Sequence, residues 1–412
     1  MKKALSLIWR VPAGALLTVL GIIVVTNVSP IYDFEEGKAF EGNEIYNPYT
    51  DVDSATVWTR ANFHTHTHAT KWINECELYP DSVRAYYDRL GYDLVSFSNH
   101  MELTADPRGT DGQIWVYEHG YNFAKHHNLV FGPHKGVNYF DALLPVMVSQ
   151  KQFKMDMLRR NADFIFFNHP DRTNFTDDRD MARLTGYRLV EADCGFEDWD
   201  TYCHKWDVAL STGHYVPSAI SDDLHKPRET RRIGRRCSFL NTESERYEDV
   251  RECLLKGDFY TAHIPDFGYG NWDVKIEASH NLPAVVGIGL LGETPYMKVS
   301  RNAAELQAIG QDGEVVKSLR DTCAIDYSFT ASDSYIRFVA RYDDGIVLFS
   351  NPFARWNGPV ASSAPAFGIQ TPYREFAHPV NCLLTILYNL AVLLVSGFLF
   401  CGAIVCFRGR RW

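Results

Sequence analysis

Two uncharged apolar stretches bracket this chain, residues 11–28 and 382–407; between them apolar residues come in short runs separated by polar, helix-like stretches. About 20 apolar residues suffice for a helix that crosses a bilayer. The second stretch has that length with margin and closes on Arg408-Gly409-Arg410-Arg411. The first follows Lys2, Lys3 and Arg10 and fits an uncleaved anchor better than a secretory signal, because no small-x-small cleavage site precedes Ser29-Pro30. Two transmembrane helices are therefore expected. Basic residues lie on their terminal flanks, whereas Asp33, Glu35, Glu36 and Glu375 lie on the inner ones. The positive-inside rule then puts both termini in the cytoplasm and the body outside it, on a plasma or inner membrane.

The intervening pattern divides the chain into a transmembrane anchor (1–29), a polar neck (30–56), an α/β body (57–271), a β-rich segment (272–357), a linker (358–378), a second span (379–407) and a basic tail (408–412). In the body, strand-like runs at 58–66, 93–100, 128–132, 163–169, 187–193 and 215–221 alternate with helical stretches, as in an α/β barrel or a doubly wound sheet. One helix is bounded by its own signals, Pro80-Asp81-Ser82 at its start and Gly91 after its end. Past residue 272 the pattern changes to β. Alternation at 326–329 and 334–342 leads through Asp343-Asp344-Gly345 into 346–350 as a hairpin. Residues 359–372, rich in Pro, Ser, Ala and Gly, read as a flexible linker.

Composition narrows the function. A chain of 412 residues that is 46% hydrophobic can bury a sizeable core. Without the six basic residues outside the spans, 35 basic face 51 acidic residues, a charge of −16 that repels nucleic acid. The spans carry no charge, so they offer a transporter no polar pathway. Cys76, Cys194, Cys203, Cys237, Cys253 and Cys323 form no C-x-x-C pair, which argues against thiolate zinc and leaves any disulfide pairing open. No G-x-S-x-G nucleophile elbow occurs.

Chemistry concentrates in the histidines, twelve of whose fifteen fall between His64 and His225. His64 and His66 are two apart, so in an extended strand both rings point the same way. His100 and His169 each end a strand-like run, and Asp223-Leu224-His225 follows another. In α/β barrels the C-terminal strand ends form the active face. Imidazole and carboxylate donors suit Zn, Mn or Fe. Asp222 reads as a turn residue or a partner of a ligand, Glu191 as an orienting or a structural acid, and His134 as a rim residue. The run Lys226, Arg228, Arg231, Arg232, Arg235, Arg236 is either a phosphate-binding loop or a solvated basic loop paired with the acidic body.

Taken in order, these positions resemble the polymerase-and-histidinol-phosphatase (PHP) superfamily of metal-dependent hydrolases. The matching elements are His64-x-His66, His100, Asn168-His169-Pro170 in place of an alanine-His-Pro motif, and Asp223-x-His225. Tyr117-Glu118 and His126-His127-Asn128-Leu129 are similar to the family's glutamate and its glycine-His-x-Asn element. The likeness continues through Trp206-Asp207, Gly213 and residues 254–260. Tyr335-Ile336-Arg337 and Ser350-Asn351-Pro352-Phe353 are similar to the carbaryl-hydrolase-like branch, so the resemblance covers about residues 57 to 355.

It implies an α/β fold, a distorted (β/α)7 barrel followed by a β-rich C-terminal subdomain, here flanked by the two spans. It also implies two or three divalent metal ions (Zn, Mn or Fe) held by His64, His66, His100, Glu118, His126, His169, Asp223 and His225. Glu118 would bridge metals, and His127 is the alternative to His126, one residue off. His64, His66, Glu118, His169, Asp223 and His225 would carry the catalysis, a metal-held hydroxide attacking a phosphoester. A carbamate or carboxylic ester is the alternative substrate, and a non-catalytic metal-binding receptor or scaffold the alternative class. Two departures stand out. Asn99 occupies a position the family gives to Asp, and no acidic residue appears at 71–73, where His68 could replace it. The implied partners are a small-molecule ester and a lipid bilayer, with no nucleic acid; oligomeric state is left open.

Overall fold

The computed structural model describes residues 2–70, 74–109, 112–172, 175–193, 204–357 and 378–408. The linker at 359–372, Glu375, the tail beyond Arg408, residues 71–73, Asn174 of a glycosylation-like Asn-Phe-Thr, Cys194, Trp199 and Cys203 lie outside the described residues. The chain runs α1 (Lys2–Val25), β1 (Glu44–Tyr46), β2 (Thr59–Asn62), α2 (Pro80–Arg89), β3 (Leu94–Val95), β4 (Val116–His119), β5 (Asn128–Phe131), α3 (Val148–Arg159), β6 (Phe164–Phe167), α4 (Asp178–Arg183) and β7 (Leu189–Val190). It continues through α5 (His204–Ser211), β8 (Arg236–Leu240), α6 (Tyr247–Lys256), β9 (Phe259–His263) and α7 (Trp272–His280). Strands β10 (Val285–Leu291), β11 (Thr294–Ile309), β12 (Val315–Asp326), β13 (Tyr335–Arg341), β14 (Val347–Ser350) and β15 (Phe353–Trp356) precede α8 (Cys382–Arg408).

The fold is mixed α/β, but the described strands do not close into a barrel. One sheet has the order β1-β15-β13-β14-β9-β8-β2-β3, with β10, β11 and β12 branching from it; a second is β4-β5-β6-β7. Among the described residues isolated bridges make further links, among them His100 to Glu118, Thr65 to Leu224 and Val190 to Ser218. The expected runs at 58–66, 93–100 and 187–193 therefore shrink to two to four ladder residues, and 215–221 forms no strand. Short polar side chains take the backbone hydrogen bonds that a continuous ladder would have made. Ser98 Oγ accepts from Thr65 N–H at 3.0 Å, Ser221 Oγ from Phe63 N–H at 3.1 Å and Asn168 Oδ1 from Leu129 N–H at 2.7 Å.

Local signals explain other elements. α2 begins with Pro80 and Asp81 in its first turn and is followed by Gly91 at φ 77°, a left-handed position that suits glycine. The strand β4, unmarked in the sequence pattern, forms because it pairs antiparallel with β5, Val116 opposite Phe131 and His119 opposite Asn128. The segment after 271 opens with helix α7, capped by Asn271 Oδ1, before turning to β. The β13–β14 hairpin turns through Asp343-Asp344-Gly345, and β14 pairs antiparallel with β9, Val347 opposite His263. The β-rich segment thus extends the sheet that carries β2.

A buried ion pair clamps that segment to the body. Arg337 on β13 donates from Nε and Nη2 to both oxygens of Asp207 on α5, at 2.8 and 2.6 Å, and Tyr335 OH adds a third hydrogen bond at 3.1 Å. The guanidinium lies 4.9 Å from the ring centroid of Trp206. The apolar helices α1 and α8 pack antiparallel: Gly14 abuts the ring of Phe407 and Gly21 that of Phe400, where a Cβ would come within 2.9 and 2.7 Å. Small residues that let helix surfaces approach are how spans associate in lipid. Removing one partner of a buried charge pair leaves the other uncompensated, so Asp207→Ala is expected to destabilise the full-length protein by about 3–5 kcal/mol, read as a lowered unfolding midpoint.

Candidate metal centre

The H-x-H pair leaves β2 at the sheet end where β3, β4 and β6 also end. His64 and His66 are buried, and Asn99 ties their strand to the next one. Its Oδ1 accepts from Thr67 N–H at 2.7 Å, and its Nδ2 donates to Thr67 Oγ1 and Thr104 Oγ1 at 2.8 and 2.7 Å.

Glu118 and Asp223 form the middle. Glu118 Oε2 lies 3.2 Å from His64 Nε2, 3.3 Å from His66 Nε2 and 3.1 Å from His100 Nε2. Its Oε1 lies 3.0 Å from His127 Nδ1 and 3.3 Å from His169 Nε2. Asp223 Oδ1 is 3.1 Å from the Nε2 atoms of both His64 and His66. Four overlapping sets have all their donor atoms within 4.8 Å of one another: His64-His66-Glu118-Asp223, His64-His169-Glu191, His66-Glu75-His100 and His100-Glu118-His127.

Of the residues singled out from sequence, His64, His66, His100, Glu118, His169 and Asp223 meet here. His225 joins through Glu75: His225 Nε2 is 2.8 Å from Glu75 Oε2, which is 3.1 Å from His100 Nε2. His126 does not join. It is buried against Phe167, with neither ring nitrogen hydrogen-bonded, while His127 faces Glu118. The antiparallel β4–β5 pairing sets which ring of the His-His pair turns inward. Glu75 was missed from sequence. It supplies the acid sought at 71–73, a few residues further along a non-helical segment that no periodicity marks. His68 turns away, its Nδ1 2.9 Å from Asn74 Nδ2 and its ring beside Tyr79. His134 pairs with Asp163 at 2.9 Å, at the start of β6, the end remote from the centre.

The electrostatics are those of buried acids that need positive charge. Burial opposes ionisation of Glu118, yet His100, His64 and His127 hold its pKa well below the ordinary value. Burial likewise opposes ionisation of Asp223, and His64 and His225 override it. For His64 burial opposes the charge, but Asp223, Glu118 and Glu191 keep its pKa well above the usual imidazole value. Glu191, itself raised by burial, accepts from His64 Nδ1 at 3.1 Å, which directs Nε2 at the centre. His169 and Asp223 adopt left-handed backbone (φ 30° and 47°), as does Met101 beside His100 (φ 51°). Such strain in non-glycine residues gathers at functional sites.

The donors fit metal ions. His64 Nε2 is buried with carboxylate oxygens of Asp223 and Glu118 at 3.1 and 3.2 Å, and makes no well-aligned hydrogen bond among the described residues. Around it, Arg172 Nη1 binds the other oxygen of Asp223 at 2.6 Å, and Asp222 accepts from the backbone N–H groups of Gly234, Arg235 and Arg236. The basic run is largely paired, Arg228 with Glu77, Arg231 with Glu229 and Arg236 with Asp193. A cleft of about 450 Å³ opens beside Glu75 and His225.

No family model and no curated protein matches the chain. Among solved structures it is similar to a two-domain protein from Bacteroides vulgatus ATCC 8482 containing a predicted PHP-like metal-dependent phosphoesterase, at 14% identity and a TM-score of 0.37, over 77% of this chain and 99% of that one.

Metal analysis of the purified full-length protein is expected to find His127→Ala depleted of metal and His126→Ala loaded like the parent. Bound metal stabilises the folded form by mass action, so a chelator should lower the melting temperature of the parent.

Proposed function

We propose that this protein is a membrane-anchored, metal-dependent hydrolase that cleaves a phosphoester, with a PHP-type arrangement of its donors. The observation that carries this reading is the convergence of buried imidazole and carboxylate donors around Glu118 and Asp223. His64, His66, Glu118 and Asp223 would hold one cation, and His100, His127 and His169 would share Glu118 with a second. Glu75, with His66 and His100, would supply donors for a third, and His225 would hold Glu75 in place. Bound divalent cations would bring the pKa of a water toward neutrality and neutralise charge on the leaving oxygen.

The chain's own residues do the positioning. Glu191 fixes the tautomer of His64, Asn99 fixes the strand that carries His66, and Arg172 fixes the outer oxygen of Asp223. Arg172 is about a quarter exposed at the rim, and a guanidinium fork there matches phosphate oxygens. That residue favours a phosphoester over a carbamate. Two antiparallel apolar helices of spanning length support the anchor, and the flanking charges support cytoplasmic termini with the body outside.

The test is hydrolysis of p-nitrophenyl phosphate, its diester and a naphthyl carbamate by full-length protein with Mn or Zn, beside His64→Ala. Phosphoester turnover that falls at least about a hundredfold in the variant is expected. Turnover of the carbamate alone would move the substrate class, and a folded protein with neither metal nor turnover would overturn the enzyme reading.

A further inference from the structure

The strand ends that carry the metal donors are the same end of the body to which the two apolar helices are tied. Past α1, Thr26 Oγ1 accepts from Leu143 N–H at 3.2 Å, and Asn27 O accepts from Gln150 Nε2 at 3.4 Å and Tyr388 OH at 2.8 Å. Tyr32 N–H donates to Ser149 Oγ at 3.2 Å. Gln150 and Ser149 form the first turn of α3, which leads through a tight turn into β6. A helix that runs antiparallel to its following strand has its N-terminus level with that strand's C-terminus, here His169. Lys154, one turn along α3, reaches His126 O next to His127. One turn is about 5.4 Å, so the end of α1 lies about a turn beyond the level of the donors.

The neck points the same way. It leaves Tyr32 at the first turn of α3 and reaches Thr50, whose N–H donates to Asp258 Oδ2 at 3.1 Å, before β9 begins. It therefore descends the height of the body so that β2 can start at the far end and climb back to His64.

Exposed apolar side chains crowd this end. Phe123 (62% exposed) lies on the loop whose Tyr121 OH donates to His100 O at 3.1 Å. Phe123 N–H donates to Leu143 O, and Leu143 N–H to Thr26 at the end of α1. Tyr139 and Val146 (55% and 56%) sit on that same stretch. Phe175 (45%) follows His169 and Arg172, its carbonyl held by Lys151 of α3. Exposed Lys125 stands beside these loops. Hydrogen-bonded continuity with the spans separates this group from Val57 or Leu291, which are exposed elsewhere. Apolar tips with an adjacent lysine are suited to the headgroup layer of a bilayer.

We propose that the site-bearing end of the body rests on the bilayer its helices enter, with Phe123, Tyr139, Val146 and Phe175 in the interface, and that its substrate is the headgroup phosphoester of a phospholipid in that leaflet. This rests on the hydrolase reading and names its substrate class. Confinement to one surface keeps the headgroups at high effective concentration.

The experiment reconstitutes the full-length protein in phosphatidylcholine vesicles carrying phosphatidic acid or phosphatidylglycerol. Headgroup hydrolysis is compared with that of dissolved glycerol 3-phosphate and p-nitrophenyl phosphate. Lipid cleavage with kcat/KM at least about tenfold above glycerol 3-phosphate is expected, and Val146→Glu with Tyr139→Glu should lower the ratio of lipid to p-nitrophenyl phosphate turnover about tenfold. A benzophenone photoprobe at position 146 should form lipid adducts, and one at position 57 should not. Cleavage of the dissolved esters without any lipid cleavage overturns this substrate and leaves the hydrolase standing. No cleavage of any ester overturns both, and no lipid adduct at 146 overturns the seating on the membrane.

Discussion

Two carboxylates, Glu118 and Asp223, are buried side by side at the convergence of the strand ends, and the surrounding architecture answers their need for charges and hydrogen-bond donors. Five imidazoles face them directly, Arg172 holds the outer oxygen of Asp223, and Glu191 and Glu75 steer rings from behind. Carboxylates withdrawn from water are tolerated only where cations or hydrogen-bond donors surround them. The strand ends give up their ladders here because extended backbone must turn aside to bring six separate segments to one point. Ser98, Ser221 and Asn168 take over the hydrogen bonds that the turning leaves unpaired.

The same constraint explains why the sheets stay open. Past Asn62 and Val95 the pairing passes to isolated bridges, Thr65 with Leu224 and His100 with Glu118. The left-handed conformations of His169 and Asp223 are the local form of this compromise, strain accepted so that a donor reaches inward. Asn99 shows it at the level of one amide, which accepts from one backbone group and donates to two hydroxyls. The β-rich segment stands apart from this chemistry and supports it mechanically, through β14 against β9 and through the Arg337–Asp207 clamp.

Much of this was legible in the sequence because its signals are short-range. The H-x-H spacing, the histidines closing apolar runs, the Asp-x-His and the helix bounded by Pro80 and Gly91 depend only on local geometry. What was not legible depends on partners far along the chain. Whether His126 or His127 turns inward is set by the register of β4 on β5, and β4 itself has no periodicity of its own. Glu75 lies on an irregular segment, where spacing carries no direction, so its reach to His100 and His225 could not be read. Barrel closure was overestimated for a related reason: apolar runs mark buried extended chain, and whether that chain pairs with a neighbour is a tertiary matter. Helix α7 was hidden because its weakly patterned residues precede unmistakable strands.

The antiparallel packing of α1 on α8 also orders events during synthesis. Ser29 and Asn389, which hydrogen-bond where the two helices meet the body, are 360 positions apart. The first helix is made long before its partner exists, so Gly14 and Gly21 stay uncovered until Phe407 and Phe400 arrive. Closing so long a flexible loop costs roughly 5 kcal/mol of chain entropy. A folded body removes most of that cost, because it delivers Tyr32 and Val380 already side by side. Under the membrane-anchored reading, pairing of the two helices would come last in assembly, after the domain between them has folded.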